Sequence, residues 1–489
     1  MEKKKLKDNN IFRYSIIGFS VLLIILFKFL PPPSGMTQSG MAVIGAFLGT
    51  LILWLTISID WPSLLCILAL GILPELSFKT LFASSFGSDT FVFLLCTFIC
   101  TYALSTTNII KKVALWFVSN RLAKKGPWWF VTMFFFSVIV LGMFTSPSVL
   151  FVILLPILDE IYKITGVEKG SKTGSMLMMG LAFCVSISSG MTPIAHVFPI
   201  LSFGVFEKVT GFTINYGSYM AIAIPVGILL TILMILAFKL ILRPDVSELK
   251  DVDLSEMKAS LPKVNKRDIT TLIIFALCVV LWILPSILQN VWSEFYTLFH
   301  GFGTAFPAIV GVVLLCIICI DKKPLVSIKE ACEKGVPFSS LVMCAGTLAL
   351  GSAMTNDAIG LKTYLSTNLS TVLSGVAPFV LIIIFAVWAM LQTNVSSNMV
   401  TATLVTSVAM PIMLTVGSVQ FCAITAVVIG MISAFAFATP PSMPHIAIAS
   451  SSEWSNTKDV AIYGIILGLL SVVLAVVLGY FIGLLVFAF

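Results

Sequence analysis

The sequence predicts an all-α polytopic membrane protein in which apolar helices and two re-entrant helical hairpins form an inverted repeat. Three observations carry this expectation. Of 489 residues, 58% are hydrophobic and only 10% charged, a composition suited to a bilayer and not to water. Apolar runs of about 20 residues, enough for one helical crossing of a hydrocarbon core, recur along the chain. Short proline-bearing polar words also recur in the same order about 250 residues further on, as internally repeated architectures do.

The uninterrupted runs lie at 11–30, 41–57, 91–104, 218–242, 269–288, 306–320 and 460–485. With the interrupted segments added, roughly 10 to 12 membrane elements are expected. The basic start, with Lys3, Lys4, Lys5 and Lys7, precedes a long apolar run that ends in Pro31-Pro32-Pro33. No small-residue cleavage site follows, so the run reads as a retained first span. The formal charge of +7 does not point to nucleic acid, because in membrane proteins Lys and Arg mark cytoplasmic loops. The ten cysteines are scattered through apolar spans and read as small core residues. No Cys/His cluster suggests zinc, and no phosphate-binding loop suggests an ATP-driven pump. No cofactor is expected.

Several landmarks pair across the chain. Thr107-Asn108 recurs as Thr355-Asn356, Ser146 as Ser397, Thr192-Pro193 as Thr439-Pro440, and His196 as His445. The expected division is residues 1–34 as cytoplasmic N-terminus and first span, 35–245 as first repeat, 246–268 as cytoplasmic linker and 269–489 as second repeat. Lys111, Lys112, Arg121, Lys124 and Lys125 follow Asn108, whereas only Lys362 follows Asn356 in the matching stretch. By the positive-inside rule the first segment faces the cytoplasm and its counterpart faces outward, the signature of an inverted repeat. The N-terminus is expected inside.

Residues 127–158 carry no charge, yet at about 1.5 Å per residue they overrun one crossing of a ~30 Å core. A hairpin with its tip at Ser146-Pro147-Ser148 resolves this, since Pro147 blocks helix continuation. Ser396-Ser397-Asn398-Met399 occupies the same place in the second half. Thr192-Pro193 and Thr439-Pro440-Pro441 read as breaks inside helices. Lipid cannot satisfy the polar backbone at such breaks, so they persist where they line a cavity, and matched breaks in two halves point to a transporter's binding site. No Asp, Glu, Lys, Arg or His occurs from 363 to 444. Neutral oxygens and unwound carbonyls suit Na⁺, while helix N-termini with hydroxyl and amide donors suit an anion. His196 and His445 are candidates for a proton-linked role.

These words resemble the divalent anion:sodium symporter family, whose members carry dicarboxylates, citrate or sulfate. That family has a Ser-Asn-Thr signature at each of two hairpin tips and a Thr/Ser-Pro-Pro break in each half. The resemblance implies 11 transmembrane helices plus two hairpins, scaffold and transport domains, a homodimer and elevator-type movement. It assigns Ser146, Ser148, Thr192, Pro193, Ser397, Asn398, Met399, Thr439 and Pro440 to substrate, and Ser146, Gly190, Thr393, Ser396, Asn398 and Ala438 to Na⁺. In the second half Met399 replaces the signature Thr. The first half departs further: Pro147 stands where the family has Asn, and Gly142 stands where a hydroxyl is common.

The function expected is secondary active transport of a small organic anion, a di- or tricarboxylate, across a bacterial-type cytoplasmic membrane with Na⁺ as coupling ion. Its partners are then the anion, membrane lipid and a second copy of the chain, with no nucleic acid. Sodium-independent anion exchange, proton-coupled carriage through His196 or His445, and sulfate transport remain open, as does a channel. An enzyme is disfavoured, because no nucleophile–base pair or metal cluster falls at membrane depth.

Overall fold

Inside hydrocarbon each backbone N–H and C=O must find its partner within the protein, and the apolar runs answer as helices. The computed structural model describes residues 10–194, 196–250, 252–288, 291–361, 363–364, 367–368 and 375–487. The N-terminal lysines, Ala195, Asp251 and Lys362 lie outside these residues. The first half contains α1 (Asn10–Phe29), α2 (Gln38–Thr56), α3 (Trp61–Gly71), α4 (Phe78–Ser84), α5 (Asp89–Ser105), α6 (Ile109–Ser119), α7 (Pro127–Gly142), α8 (Pro147–Thr165), α9 (Lys172–Ser189), α10 (Val197–Thr210) and α11 (Tyr216–Ala237). After α12 (Ser255–Ser260) come α13 (Lys266–Leu288), α14 (Ser293–Gly301), α15 (Phe306–Ile317), α16 (Ile328–Lys334), α17 (Phe338–Thr355), α18 (Pro378–Val395), α19 (Asn398–Val416), α20 (Val419–Ala434), α21 (Pro444–Ser451) and α22 (Thr457–Val486).

Among the described residues, eight helices are long and apolar enough to cross a membrane. The count becomes nine if α4 and α5, bent by 49° at their junction, are taken as one span. Shorter apolar helices of 10–17 residues lie at α3, α7, α15 and α20. The run expected at 306–320 stops as a helix at Ile317. Its last residues instead form a clip, β1 (Cys319–Ile320) paired antiparallel with β2 (Lys323–Pro324). Asp321 and Lys322 turn the clip with φ of 55° and 61°, the left-handed pair a two-residue hairpin needs.

Local chemistry fixes the ends. Thr37, Ser88 and Ser171 accept the backbone N–H of Gly40, Phe91 and Gly174 at the starts of α2, α5 and α9, relieving orphan donors. Ser77 and Ser327 cap the two seven-residue helices α4 and α16 in the same way. The Tyr102 hydroxyl of α5 donates to Glu330 of α16 at 3.1 Å. Lys334, with help from that hydroxyl, holds the exposed Glu330 carboxyl below the usual range. Helix α1 lies against α2 on a small-residue face. A Cβ at Gly45 would sit 2.4 Å from Phe27 Cβ, and one at Gly49 would sit 2.7 Å from the Ser20 carbonyl. Close backbone approach of this kind is how helices associate where lipid removes the hydrophobic drive.

Packing of the later helices positions the site. Helix α9 lies on α7 and α8, and α20 lies on α18 and α19. Their continuations cross over: α10 packs on α19 and α20, and α21 packs on α8 and α9. Thr406 of α19 donates to Ser202 of α10 at 3.0 Å. Gly430 of α20 admits Pro199, whose Cα lies 2.9 Å from where a Cβ would stand. The segment between α11 and α13 is not a free tether. Leu249 and Leu254 are buried, the Thr173 hydroxyl donates to the Asp245 carbonyl at 2.6 Å, and an apolar groove of about 510 Å³ lies between α6 and residues 258–272.

Candidate functional site

Helix α18 ends at Val395 and α19 begins at Asn398, with Ser396 and Ser397 extended between them. Ser397 caps α19 through Val400 N–H at 3.5 Å. Asn398 follows at the first helical position, 3% exposed. Neither its amide oxygen nor its amide nitrogen has a hydrogen-bond partner among the described residues. A buried amide left unpaired costs free energy, so such a group calls for an explanation such as a ligand. The broken helix packs alongside, where α20 stops and residues 435–443 run unwound before α21.

Three side chains join that break to α18. Thr393 donates its hydroxyl to the Ser433 carbonyl at 2.7 Å. Asn394 accepts the N–H of Phe437 at 2.9 Å and of Ala438 at 2.8 Å, and donates its own amide to Met390 O at 2.8 Å. Thr439 donates to the Asn394 carbonyl. Gly464 of α22 lets the break approach, since a Cβ there would lie 2.5 Å from Ala438 Cα. Ser396 returns its hydroxyl to Gln392 O at 3.0 Å. Ala438 is buried, whereas Thr439 and Pro440 are half-buried and Pro441 is exposed. Met399 packs beside the cluster of Trp54, Met343 and Val400, an apolar contact.

The first half repeats part of this geometry. Helix α7 ends at Gly142 and α8 begins at Pro147, with Ser146 half-buried and Ser148 exposed at the junction. Thr192 donates to the Met143 carbonyl at 2.5 Å, as Thr439 does to Asn394. Gly227 of α11 abuts the break, its virtual Cβ 2.4 Å from Met191 Cγ, as Gly464 does in α22. The differences lie in the ligand chemistry. The Gly190 carbonyl accepts the Tyr219 hydroxyl. The position of Gly142 is crowded by Ser188, whose Oγ lies 2.0 Å from a virtual Cβ. Gly190, Met191, Thr192, Pro193 and Ile194 are all buried.

Both histidines sit beside the first helix pair. His196 Nε2 lies 2.9 Å from the Gly142 carbonyl. A carbonyl can only accept, so Nε2 carries the proton. His445, reaching over on α21, places Nε2 2.8 Å from Ser186 Oγ and its ring 5.9 Å from Phe151. Ser186 gives its hydroxyl proton to Ala436 O at 3.0 Å, so this imidazole too donates from Nε2. Both Nδ1 atoms are buried without a partner among the described residues.

Sequence reasoning missed Asn394, Tyr219, Ser186 and Ser188. Asn394 carried one signal, being an amide four residues before Asn398 in an uncharged run. The other three are hydroxyls within apolar helices and carried none.

A model of the sodium:sulfate symporter transmembrane region matches residues 9–488. The chain belongs to this family. The divalent anion:sodium symporter resemblance read from the tip and break words is therefore correct, and the chain is an integral, multi-pass membrane protein. It is 26% identical over 495 residues to the sodium-dependent dicarboxylate transporter SdcS of Staphylococcus saprophyticus, covering 98% of this chain and 93% of that one. The Staphylococcus aureus (strain USA300) protein of the same name is 23% identical over 96% of this chain and 90% of its own. An uncharacterized transporter of Methanocaldococcus jannaschii is 26% identical over 76% and 77%. Among solved structures, the Alcanivorax borkumensis YdaH transporter superposes with a TM-score of 0.53 at 15% identity, covering 83% and 88%. Neisseria gonorrhoeae MtrF superposes at 0.54 with 11% identity, covering 95% and 94%. At these identities the superpositions speak to fold alone.

Proposed function

We propose that the protein is a secondary active transporter that carries a small organic anion of the di- or tricarboxylate class across the cytoplasmic membrane, driven by Na⁺. The observation that carries this reading is Asn398, a buried amide at the N-terminus of α19 with both atoms unpartnered among the described residues. An amide there presents an N–H₂ donor to a carboxylate and an oxygen to a cation. The first N–H groups of α19 add the positive end of a helix dipole. Ser397, Thr439 and Pro440 border the same break, with Thr393, Ser396 and Ala438 as the cation-facing oxygens. Across the pair of halves, Ser146, Ser148, Thr192 and Pro193 complete the anion's surroundings. The names of the staphylococcal relatives support both anion and ion.

In this reading the two halves are an inverted repeat, each helix pair at α7–α8 and α18–α19 is a re-entrant hairpin, and the N-terminal lysines face the cytoplasm. The matched capping of α4 and α16, and the crossed packing of α10 and α21, support it. A homodimer with fixed scaffold and elevator-type transport domains is the working assembly. Uptake of labelled succinate, malate, 2-oxoglutarate, citrate and sulfate into proteoliposomes tests the function. Saturable carboxylate uptake that collapses without a Na⁺ gradient supports it. Uptake indifferent to Na⁺ but stimulated by internal anion identifies an exchanger and overturns it.

A further inference from the structure

We propose that Tyr219 and His196 close the first-half cation position with their own protons, so that sodium coupling runs through the second-half position alone. The proposal rests on the sodium-coupled reading above and fixes which of its two matched positions takes the ion.

Three second-half oxygens remain open. The Thr393 hydroxyl donates its proton to Ser433 O, and its oxygen accepts no hydrogen bond among the described residues. Asn398 Oδ1 is buried and unpartnered among the described residues. The Ala438 carbonyl accepts no hydrogen bond among the described residues. Both side-chain counterparts in the first half are lost. Gly142 has no side chain where Thr393 has a hydroxyl, and Pro147 has no amide where Asn398 has one. Gly190, the residue of the first break assigned to Na⁺ by resemblance, has its carbonyl engaged in accepting the Tyr219 hydroxyl.

The neighbouring carbonyls are engaged as well. Gly142 O holds the His196 Nε2 proton at 2.9 Å, and Met143 O holds the Thr192 proton at 2.5 Å. A cation leaves water only where several oxygens replace its hydration shell. A carbonyl already accepting a hydrogen bond offers a cation one remaining lone pair, with the donor's positive hydrogen beside it. Tyr219 and His196 therefore do at this break what an ion would do: they supply positive dipole ends to unwound carbonyls that lipid cannot satisfy.

Initial uptake by reconstituted protein, measured against Na⁺ with choline holding ionic strength constant, tests the proposal. A hyperbolic curve with a Hill coefficient of ~1 is expected, because cooperativity is bounded by the number of coupled sites. Thermal melting of the detergent-solubilised protein gives a readout independent of transport. Sodium should raise the melting temperature of wild type, Tyr219→Phe and His196→Gln alike, and the rise should vanish in Thr393→Ala. A wild-type Hill coefficient of ~2, or loss of the sodium-induced rise in Tyr219→Phe, overturns the proposal while sodium coupling stands. Uptake and melting that both ignore Na⁺ overturn the coupling reading and this proposal with it.

Discussion

The side-chain oxygen of Asn394 accepts the backbone N–H of Ala438 at 2.8 Å. With the Phe437 N–H on the same oxygen at 2.9 Å, one amide satisfies two donors of the unwound segment. Replacing it strands both in a buried site, at about 1–3 kcal/mol for each unsatisfied group. Asn394→Ala is expected to lower the melting temperature of the purified protein by several degrees and to abolish uptake. A variant that melts like wild type would remove Asn394 from the support of the break.

Asn398 lies four residues away, and the same substitution there should act with the opposite sign on stability. Its amide is buried without a partner among the described residues, so deleting it relieves a desolvation cost of about 1–3 kcal/mol. Asn398→Ala is expected to melt at or above the wild-type temperature, yet to lose transport. Functional sites commonly trade stability for activity in this way. Paired melting and uptake measurements on the two variants separate support from recognition.

The first tip makes a steric prediction. A Cβ at Gly142 would fall 2.0 Å from Ser188 Oγ and 2.6 Å from Ser188 Cβ. Overpacking of this kind costs about 1–3 kcal/mol. Gly142→Ala should therefore destabilise the protein, and adding Ser188→Gly should restore most of the loss. Additive effects in the double variant would show that the two residues do not share the space.

The histidines act through Nε2–H. Glutamine can present an amide N–H at a similar reach, so His196→Gln and His445→Gln should keep transport and leave its pH profile unchanged. His196→Ala leaves the Gly142 carbonyl without this donor and should cost about 1–2 kcal/mol. A pH profile displaced in either glutamine variant would instead restore the proton-linked role that the sequence suggests.

The apolar spans were legible because their signal is compositional: α1, α2, α5, α11, α13 and α22 fall within a few residues of the hydropathic runs. The junctions at Ser146 and Ser397 were legible because proline and hydroxyls interrupt otherwise uncharged helix. The breaks after α9 and α20 were legible for the same reason. Asn394 and Tyr219 were not, because a neutral polar side chain in an apolar helix has the same local pattern whether it faces a break or a helix neighbour. The crossing of α10 onto α19 was invisible for another reason. It depends on Gly430 meeting Pro199 and on Ser202 meeting Thr406, contacts between residues some two hundred positions apart with no local period. The clip at Cys319–Pro324 ended α15 early because pairing, not hydropathy, decides those residues.

The crossed packing of α10 and α21 has a consequence for biosynthesis. When residues 197–210 enter the bilayer, the helices they will rest on, α19 and α20, are still untranslated. The first half must wait with an unfilled flank, and the break at Thr192 gains its full surroundings only after the chain has grown past Ala434. Contacts this distant in sequence delay folding. They also mean that neither half encloses a complete site by itself. The two halves, expressed as separate polypeptides in one cell, should regain transport together and show none apart.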